Sequence, residues 1–415
     1  MRKIKDSGVA WIGVIPENWQ LLSVGALFKV RNEKVNDTDY PPLSVTKGGI
    51  VPQMESVAKS DATDNRKMVL KNDFVINSRS DRKQSCGVSP LDGSVSLINT
   101  VLHPVPNAPV LPDYLDYLLK NYGFAEEFYR WGHGIVADLW TTRWQEMKNI
   151  FLPIPPVEEQ QKIIFSISTQ MEKVDALIAN VQEQIEKLKA YKQSLITEVV
   201  TKGLDPNVPM KDSGVEWIGE IPVSWKTIRV KQLLRERKER SVDGKEEPLS
   251  MSQKVGLVPT KMLDMIPNMA SSFVGAKLAY VDDLVFNKLK AHLGVFSVSK
   301  YDGLVSPDYA VYYSTGIIDL KYLEYLFKTP QCISEFRKKS TGIAAGLTRL
   351  YTDDLFAIEC PMPSKDEQIE IVLFLNEKCA QIDELMSLKQ TKIEKLEQYK
   401  RSLIYEYVTG KKEVS

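Results

Sequence analysis

The stretch EEQQKIIFSISTQMEKVDALIANVQEQIEKLKAYKQSLITEVVTKG, Glu158 to Gly203, decides the fold because it occurs twice. It returns as DEQIEIVLFLNEKCAQIDELMSLKQTKIEKLEQYKRSLIYEYVTGK, Asp366 to Lys411. In the first copy Ile167, Met171, Val174, Ile178, Val181, Ile185 and Leu188 recur in alternating steps of four and three. That spacing is the a/d seam of a coiled coil, with charged and amide side chains on the other faces. Leu375, Cys379, Ile382, Met386, Ile393 and Leu396 repeat the phase, with Lys389 standing where Val181 would be. At 1.5 Å per residue each helix runs on the order of 60 Å.

The rest of the chain is duplicated with the helices. KDSGVAWIGVIPENW, Lys5 to Trp19, reappears as KDSGVEWIGEIPVSW, Lys211 to Trp225, 206 positions on. The helices repeat at an offset of 208, Tyr191 answering Tyr399 and Ser194 answering Ser402. The chain therefore divides into residues 1–157, a globule; 158–203, a long helix; 204–365, a linker and a second globule; and 366–411, a second long helix. Each half has one internal order. The KDSG segment reads as an ordered loop with a short strand or turn, its tryptophans Trp11, Trp19, Trp217 and Trp225 anchoring it in a core. VGALFKVRNEK and IRVKQLLRERKER read as short helices. Alternation, β-branched residues and the turn signals Asp92-Gly93 and Asp302-Gly303 predict strands after them. A helix then recurs, PDYLDYLLKNYGFAEEFYRWG and IDLKYLEYLFKTPQCISEFRKKS, followed by the glycine-bearing loops GHGIVADLWTTRW and TGIAAGLTRLYTDDL. LPIPPVEEQ and CPMPSKDEQ lead into the long helices, proline and early carboxylates being an N-terminal signal. Each half is a mixed α/β globule with a helix attached. Identical seams predict that the two helices pair, and the heptad pattern leaves parallel and antiparallel both open.

Lys plus Arg and Asp plus Glu number 54 each in 415 residues, so no whole-molecule field draws a polyanion and any nucleic-acid surface is a local patch. The four cysteines, Cys86, Cys332, Cys360 and Cys379, are scattered with no CxxC pair, which fits reduced thiols in a cytosol. MRKIKDSGVAW has no apolar core of a signal peptide, and no run approaches the length of a membrane span.

Catalytic patterns are missing. There is no GxxxxGK[ST] phosphate loop, no GxGxxG opening a helix after a strand, and no [DN]PP[YF] tetrapeptide of an adenine methyltransferase. His103, His133 and His292 lack metal spacing and nucleophile partners, and His133 between two glycines reads as a loop residue. No catalytic, cofactor or metal residue is assigned.

Binding signals are present instead. Ser78, Arg79, Arg82, Lys83 and Gln84 form a basic polar loop between strands, with Asn287, Lys288, Lys290 and His292 at the corresponding place in the second half. Such side chains offer donors and acceptors to base edges and phosphates. An ordinary solvated hairpin is the plainer account of one such loop; two at equivalent places with different residues bring readout level with it. The glycine loops also diverge: Trp140, Thr141 and Arg143 correspond roughly to Thr348, Leu350 and Tyr351, with Arg349 beside them. Lys47 and, in the second half, Gln253 and Lys254 complete the candidate DNA-binding set. The run Lys226 to Arg240 is strongly basic, a phosphate grip or a charged helix face.

The two KDSGVxWIGxIPxxW segments, the LPIPPVEEQQKI and CPMPSKDEQIEI helix entries, and the KLKAYKQSLI and KLEQYKRSLI helix ends resemble the specificity subunits of type I restriction–modification systems. The resemblance covers essentially the whole chain. It implies an α+β protein in which two similar α/β target recognition domains, related by pseudo-twofold symmetry, are joined by two long antiparallel coiled-coil helices. It implies a noncatalytic subunit of the prokaryotic cytoplasm that reads a bipartite double-stranded DNA site, the helices setting the spacer. The implied partners are two methylation subunits and two restriction subunits, with S-adenosylmethionine, ATP and Mg2+ on those partners and none on this chain. The alternative function is a coiled-coil protein-binding scaffold without DNA readout.

Overall fold

The computed structural model describes residues 2–53, 65–79, 83–134, 140–253, 255–263, 273–344 and 347–414. Its long helices are Val157–Lys202 and Lys365–Val408. The chain divides into two units through the middle of both: Met1–Gln182 with Gln390–Ser415, and Glu183–Lys389. Each unit thus contains one globule and one piece of each helix.

The first unit is built on an antiparallel four-stranded sheet in the order Cys86–Val88, Phe74–Asn77, Asn99–Pro104, Phe28–Val30. Its second unit counterpart runs Phe296–Val298, Leu284–Asn287, Tyr309–Ser314, Leu234–Glu236. These strands are apolar at consecutive positions because both faces are covered. Phe74, Ile76 and Leu102 enter the large core beneath the helices, while Val75 and Val101 enter a smaller one with Leu43, Ile50, Val69 and Val95. The second unit divides the same way, Leu284, Phe286 and Tyr312 on one side and Val285 and Val311 on the other.

Helices Pro112–Lys120 and Tyr122–Arg130 cover the large core of the first unit, and Leu320–Phe327 and Pro330–Lys339 that of the second. Each core is closed by both long helices. Ile163, Ile167, Leu403 and Tyr407 belong to the first, and Ile196, Val199, Val200, Ile371 and Leu375 to the second. In the first unit the Tyr114 hydroxyl donates to the carbonyls of Pro153 and Val408, while Lys400 pairs with Asp175. The start of the first helix therefore lies beside the end of the second, and the pieces run antiparallel. In the second unit the Tyr322 hydroxyl donates to Val200 and Pro361, and Lys192 meets Asp383 at 2.7 Å. The direction is again antiparallel. The expected α+β class, two similar α/β domains with two long helices packed antiparallel, is borne out.

One buried glutamine fixes each globule to its helix. Gln160 accepts from the Leu111 N–H at 2.8 Å and donates to Pro109 and Pro155 carbonyls; Gln368 accepts from Asp319 N–H at 2.7 Å and donates to Ile317 and Pro363. The repeated KDSG segments are framework: Asp6 and Asp212 each accept from a glycine N–H two residues on, and Trp19 and Trp225 are fully buried.

Two expectations change. The short helices are single turns, Val24–Leu27 and Val230–Leu233, after which VRNEK and LRERKER continue largely as strand and extended chain. The edge of the central sheet needs a partner there, and Leu234–Glu236 pairs with Tyr312–Ser314. The basic run Lys226 to Arg240 is therefore no charged helix face. Within it Arg237 is held by Asp283 at 2.7 Å and stacks on Tyr280 and Tyr313, and Arg235 donates to the Lys231 and Leu234 carbonyls. The second glycine loop is a β-hairpin, Thr341–Ala344 with Leu347–Arg349.

Candidate nucleic-acid interface

In the first unit Asn77 ends a central strand, and its side-chain carbonyl accepts the Arg79 N–H at 3.0 Å, turning the chain outward. The Ser78 carbonyl then accepts the Thr142 N–H at 3.1 Å, and Arg79 and His133 both form bridges with Thr141. Two loops more than fifty residues apart in sequence are thereby joined. Ser78 is buried, its hydroxyl bonded to Thr100 at 2.8 Å, so it supports the loop rather than facing out. Arg79 and Lys83 are exposed. The Lys83 ammonium sits 3.9 Å over the Tyr129 ring and 3.2 Å from Glu126. Gln84 takes a left-handed φ of 64° beside them. Tyr129 stacks on Trp140 at 5.7 Å, and with Asn77, Arg79, Lys83 and Gln84 these rings line one cavity. Arg143 is exposed and opens a short helix, its N–H bonded to Glu146. Lys47 occupies the exposed turn of hairpin Leu43–Pro52, whose Gly48 carbonyl accepts from Lys120.

The second unit repeats the scaffold with other residues. Asn287 turns the chain through the Leu289 N–H at 3.1 Å, and the Lys288 carbonyl accepts the Leu350 N–H at 3.0 Å. This bond matches Ser78 with Lys288 and Thr142 with Leu350, so Thr141 aligns with Arg349, not Leu350. His292 Nδ1 lies 3.3 Å from the Thr348 hydroxyl, joining the two loops through side chains. Lys290 is exposed and carries no ion pair among the described residues. Gln253, at the turn of a hairpin, donates to the Leu293 carbonyl at 3.1 Å. Arg349 donates to Asp308 at 2.7 Å. Arg82 and Lys254 lie outside the described residues.

Ser78, Arg79, Lys83, Gln84, Thr141 and Arg143 thus gather on one loop cluster, and Asn287, Lys288, Lys290, His292, Thr348, Arg349 and Gln253 on its counterpart. The sequence reading missed Tyr129, Asn77 and Asp308. Asn77 stands 210 positions before Asn287 and was there to be found; Asp308 and Tyr129 come from turns and helices that only folding brings in. Among the described residues no cluster of His, Cys, Asp and Glu is arranged to hold a metal, and no helix is long and apolar enough to cross a membrane.

No family model matches the chain. It is 23% identical over 429 residues to the putative type I restriction enzyme MjaX specificity subunit of Methanocaldococcus jannaschii, spanning 96% of this chain and 95% of the relative. It is 24% identical over 282 residues to the MjaVIII specificity subunit of the same organism, covering 64% and 62%. Among solved structures, a chain from a study of assembly and conformational transition of the type I restriction–modification system superposes with a TM-score of 0.67 at 15% identity, covering 95% and 98%. The HsdS subunit of Thermoanaerobacter tengcongensis superposes at 0.53 with 17% identity over 95% and 98%. The resemblance read from the sequence is borne out: the curated relatives carry the name of type I specificity subunits, and the solved structures share the fold.

Proposed function

We propose that this chain, similar along nearly its whole length to type I specificity subunits, is the sequence-specific DNA-binding subunit of such a complex. It reads a bipartite double-stranded target with a nonspecific spacer and directs methylation and restriction subunits to it. The observation that carries this is the pair of loop clusters. Identical backbone devices, Asn77 and Asn287 with the Ser78–Thr142 and Lys288–Leu350 bonds, present different side chains. A kept frame with changed tips is what two readers of different half-sites require, because base contacts specify while the frame only positions. Two readers on one molecule also bind far better than either alone, the second contact being intramolecular.

The chain itself is noncatalytic in this reading. S-adenosylmethionine, ATP and Mg2+ belong to the partners, two methylation and two restriction subunits, and the complex works in the cytoplasm. The test is selection from a random double-stranded DNA pool with the full chain and its methylation partner. A motif of two fixed blocks separated by a constant gap is expected. A pool that stays random at every position would overturn the proposal and favour a scaffold without readout.

A further inference from the structure

Arg349 and Asp308 exist as a pair only in the second unit. The strand pairing Asn99–Asn77 matches Tyr309–Asn287, which sets Asp308 opposite Ile98 of the first unit, as Arg349 is opposite Thr141. Both members of the pair therefore change together on an otherwise repeated frame. The Arg349 Nη2 donates to Asp308 Oδ1 at 2.7 Å, and its Nε is enclosed without a partner among the described residues. The side chain is 26% exposed and its guanidinium lies 6.0 Å from the Tyr351 ring. Asp308 itself, in the turn before a central strand, is half exposed.

This geometry separates two uses of an arginine. A phosphate grip works by unbalanced positive charge, which the Asp308 carboxylate here cancels and whose own charge repels a phosphate. Hydrogen-bond donation survives: among the described residues Nη2 to Asp308 is the one hydrogen bond of the guanidinium, so its other terminal N–H groups are left to donate. A guanidinium whose rotamer is already held gives up less entropy on binding, and paired donors from an arginine match the O6 and N7 acceptors of guanine in the major groove. Lys290 nearby is the contrasting case, exposed and without an ion pair among the described residues, suited to phosphate.

Resting on the DNA-reading function proposed above, we infer that Arg349 is a guanine reader of the second half-site and that Asp308 is its positioning residue. Selection from the random DNA pool is repeated with the full chain and its methylation partner, using Arg349→Ala, Asp308→Ala, Asp308→Glu and Lys290→Ala. Arg349→Ala relaxes one guanine position of one half-site, losing about 10- to 100-fold of discrimination there, with the slope of log K against log salt unchanged. Asp308→Ala weakens discrimination at the same position, and Asp308→Glu restores it, an effect that loss of fold would not produce. Lys290→Ala weakens all sequences alike and lowers the salt slope by about one. Uniform weakening by Arg349→Ala with a lower slope would overturn the assignment in favour of a phosphate contact, as would unchanged discrimination. A wild-type pool without any motif would overturn the DNA-reading proposal and this assignment with it, a result distinct from a wild-type motif that Arg349→Ala leaves intact.

Discussion

Gln160 and Gln368 have no accessible surface and use both ends of their amides on backbone groups of another segment. Replacing Gln368 by Ala leaves the buried Pro363 carbonyl and the part-buried Asp319 N–H and Ile317 carbonyl without their partner, the buried group costing about 1–3 kcal/mol. The expected outcome is a clear fall in midpoint in denaturant melts, larger than for the exposed Lys392→Ala. Glu324 gives a pH prediction. Its burial opposes ionisation, but Lys328 and Lys321 outweigh it and hold the carboxylate below its ordinary range. A carboxylate depressed in the folded state contributes stability above the unfolded value near 4.3 and loses it as pH falls through the lower folded value. Wild type should therefore exceed Glu324→Gln in stability at pH 7, with the gap closing below about pH 4. Equal stability of the two proteins at pH 7 would refute it. Burial pushes the Cys86 thiol up to about 12 and raises those of Cys332, Cys360 and Cys379 also. None of the four should react with a thiol reagent at pH 8 until denaturant is added.

At the scale of elements, the seam was legible because heptad spacing is a property of neighbours in sequence. Ile167, Val174, Ile178, Val181, Cys379, Ile382 and Ile393 are buried as that spacing requires. Lys389, the exception, reaches Gln184 on the other helix piece of its unit. A polar side chain at such a position specifies register at some cost in stability. Lys389→Val should raise the thermal midpoint, gaining about 1 kcal/mol, and an unchanged or lower midpoint would count against this account. The helices at Val24 and Val230 are shorter than the sequence predicts because VRNEK and LRERKER are rich in residues that favour helices over strands. Their strand character comes from pairing with Asn99–Pro104 and Tyr309–Ser314, far along the chain. The Asp-Gly signals likewise mark a close approach: a Cβ on Gly93 would lie 2.5 Å from the Pro41 carbonyl and one on Gly303 2.2 Å from that of Glu247.

At the scale of the molecule, both units draw their cores from both long helices, so neither globule is complete with its own half of the chain. If the helices set the spacing of the DNA half-sites, matched heptads inserted after Gln182 and after Lys389 should lengthen the selected gap. One heptad adds roughly 10 Å, or about three base pairs. A single insertion in the first helix alone should instead lower stability, because it breaks the matched seam. An unchanged gap in the doubly lengthened protein would remove the helices from that role.

Duplication, helix length, seam and framework segments were determined by the sequence alone, since each is a pattern read locally or by comparing one half with the other. The antiparallel direction, the joining of the loop at Ser78 and Arg79 to that at Thr141 and Thr142 and of their counterparts, and the pairing of Arg349 with Asp308 were decided only by tertiary structure. The physical reason is distance along the chain. A hydrogen bond such as Thr142 to Ser78, or an ion pair such as Arg349 to Asp308, links residues dozens of positions apart, and no local periodicity records which distant partner a side chain meets.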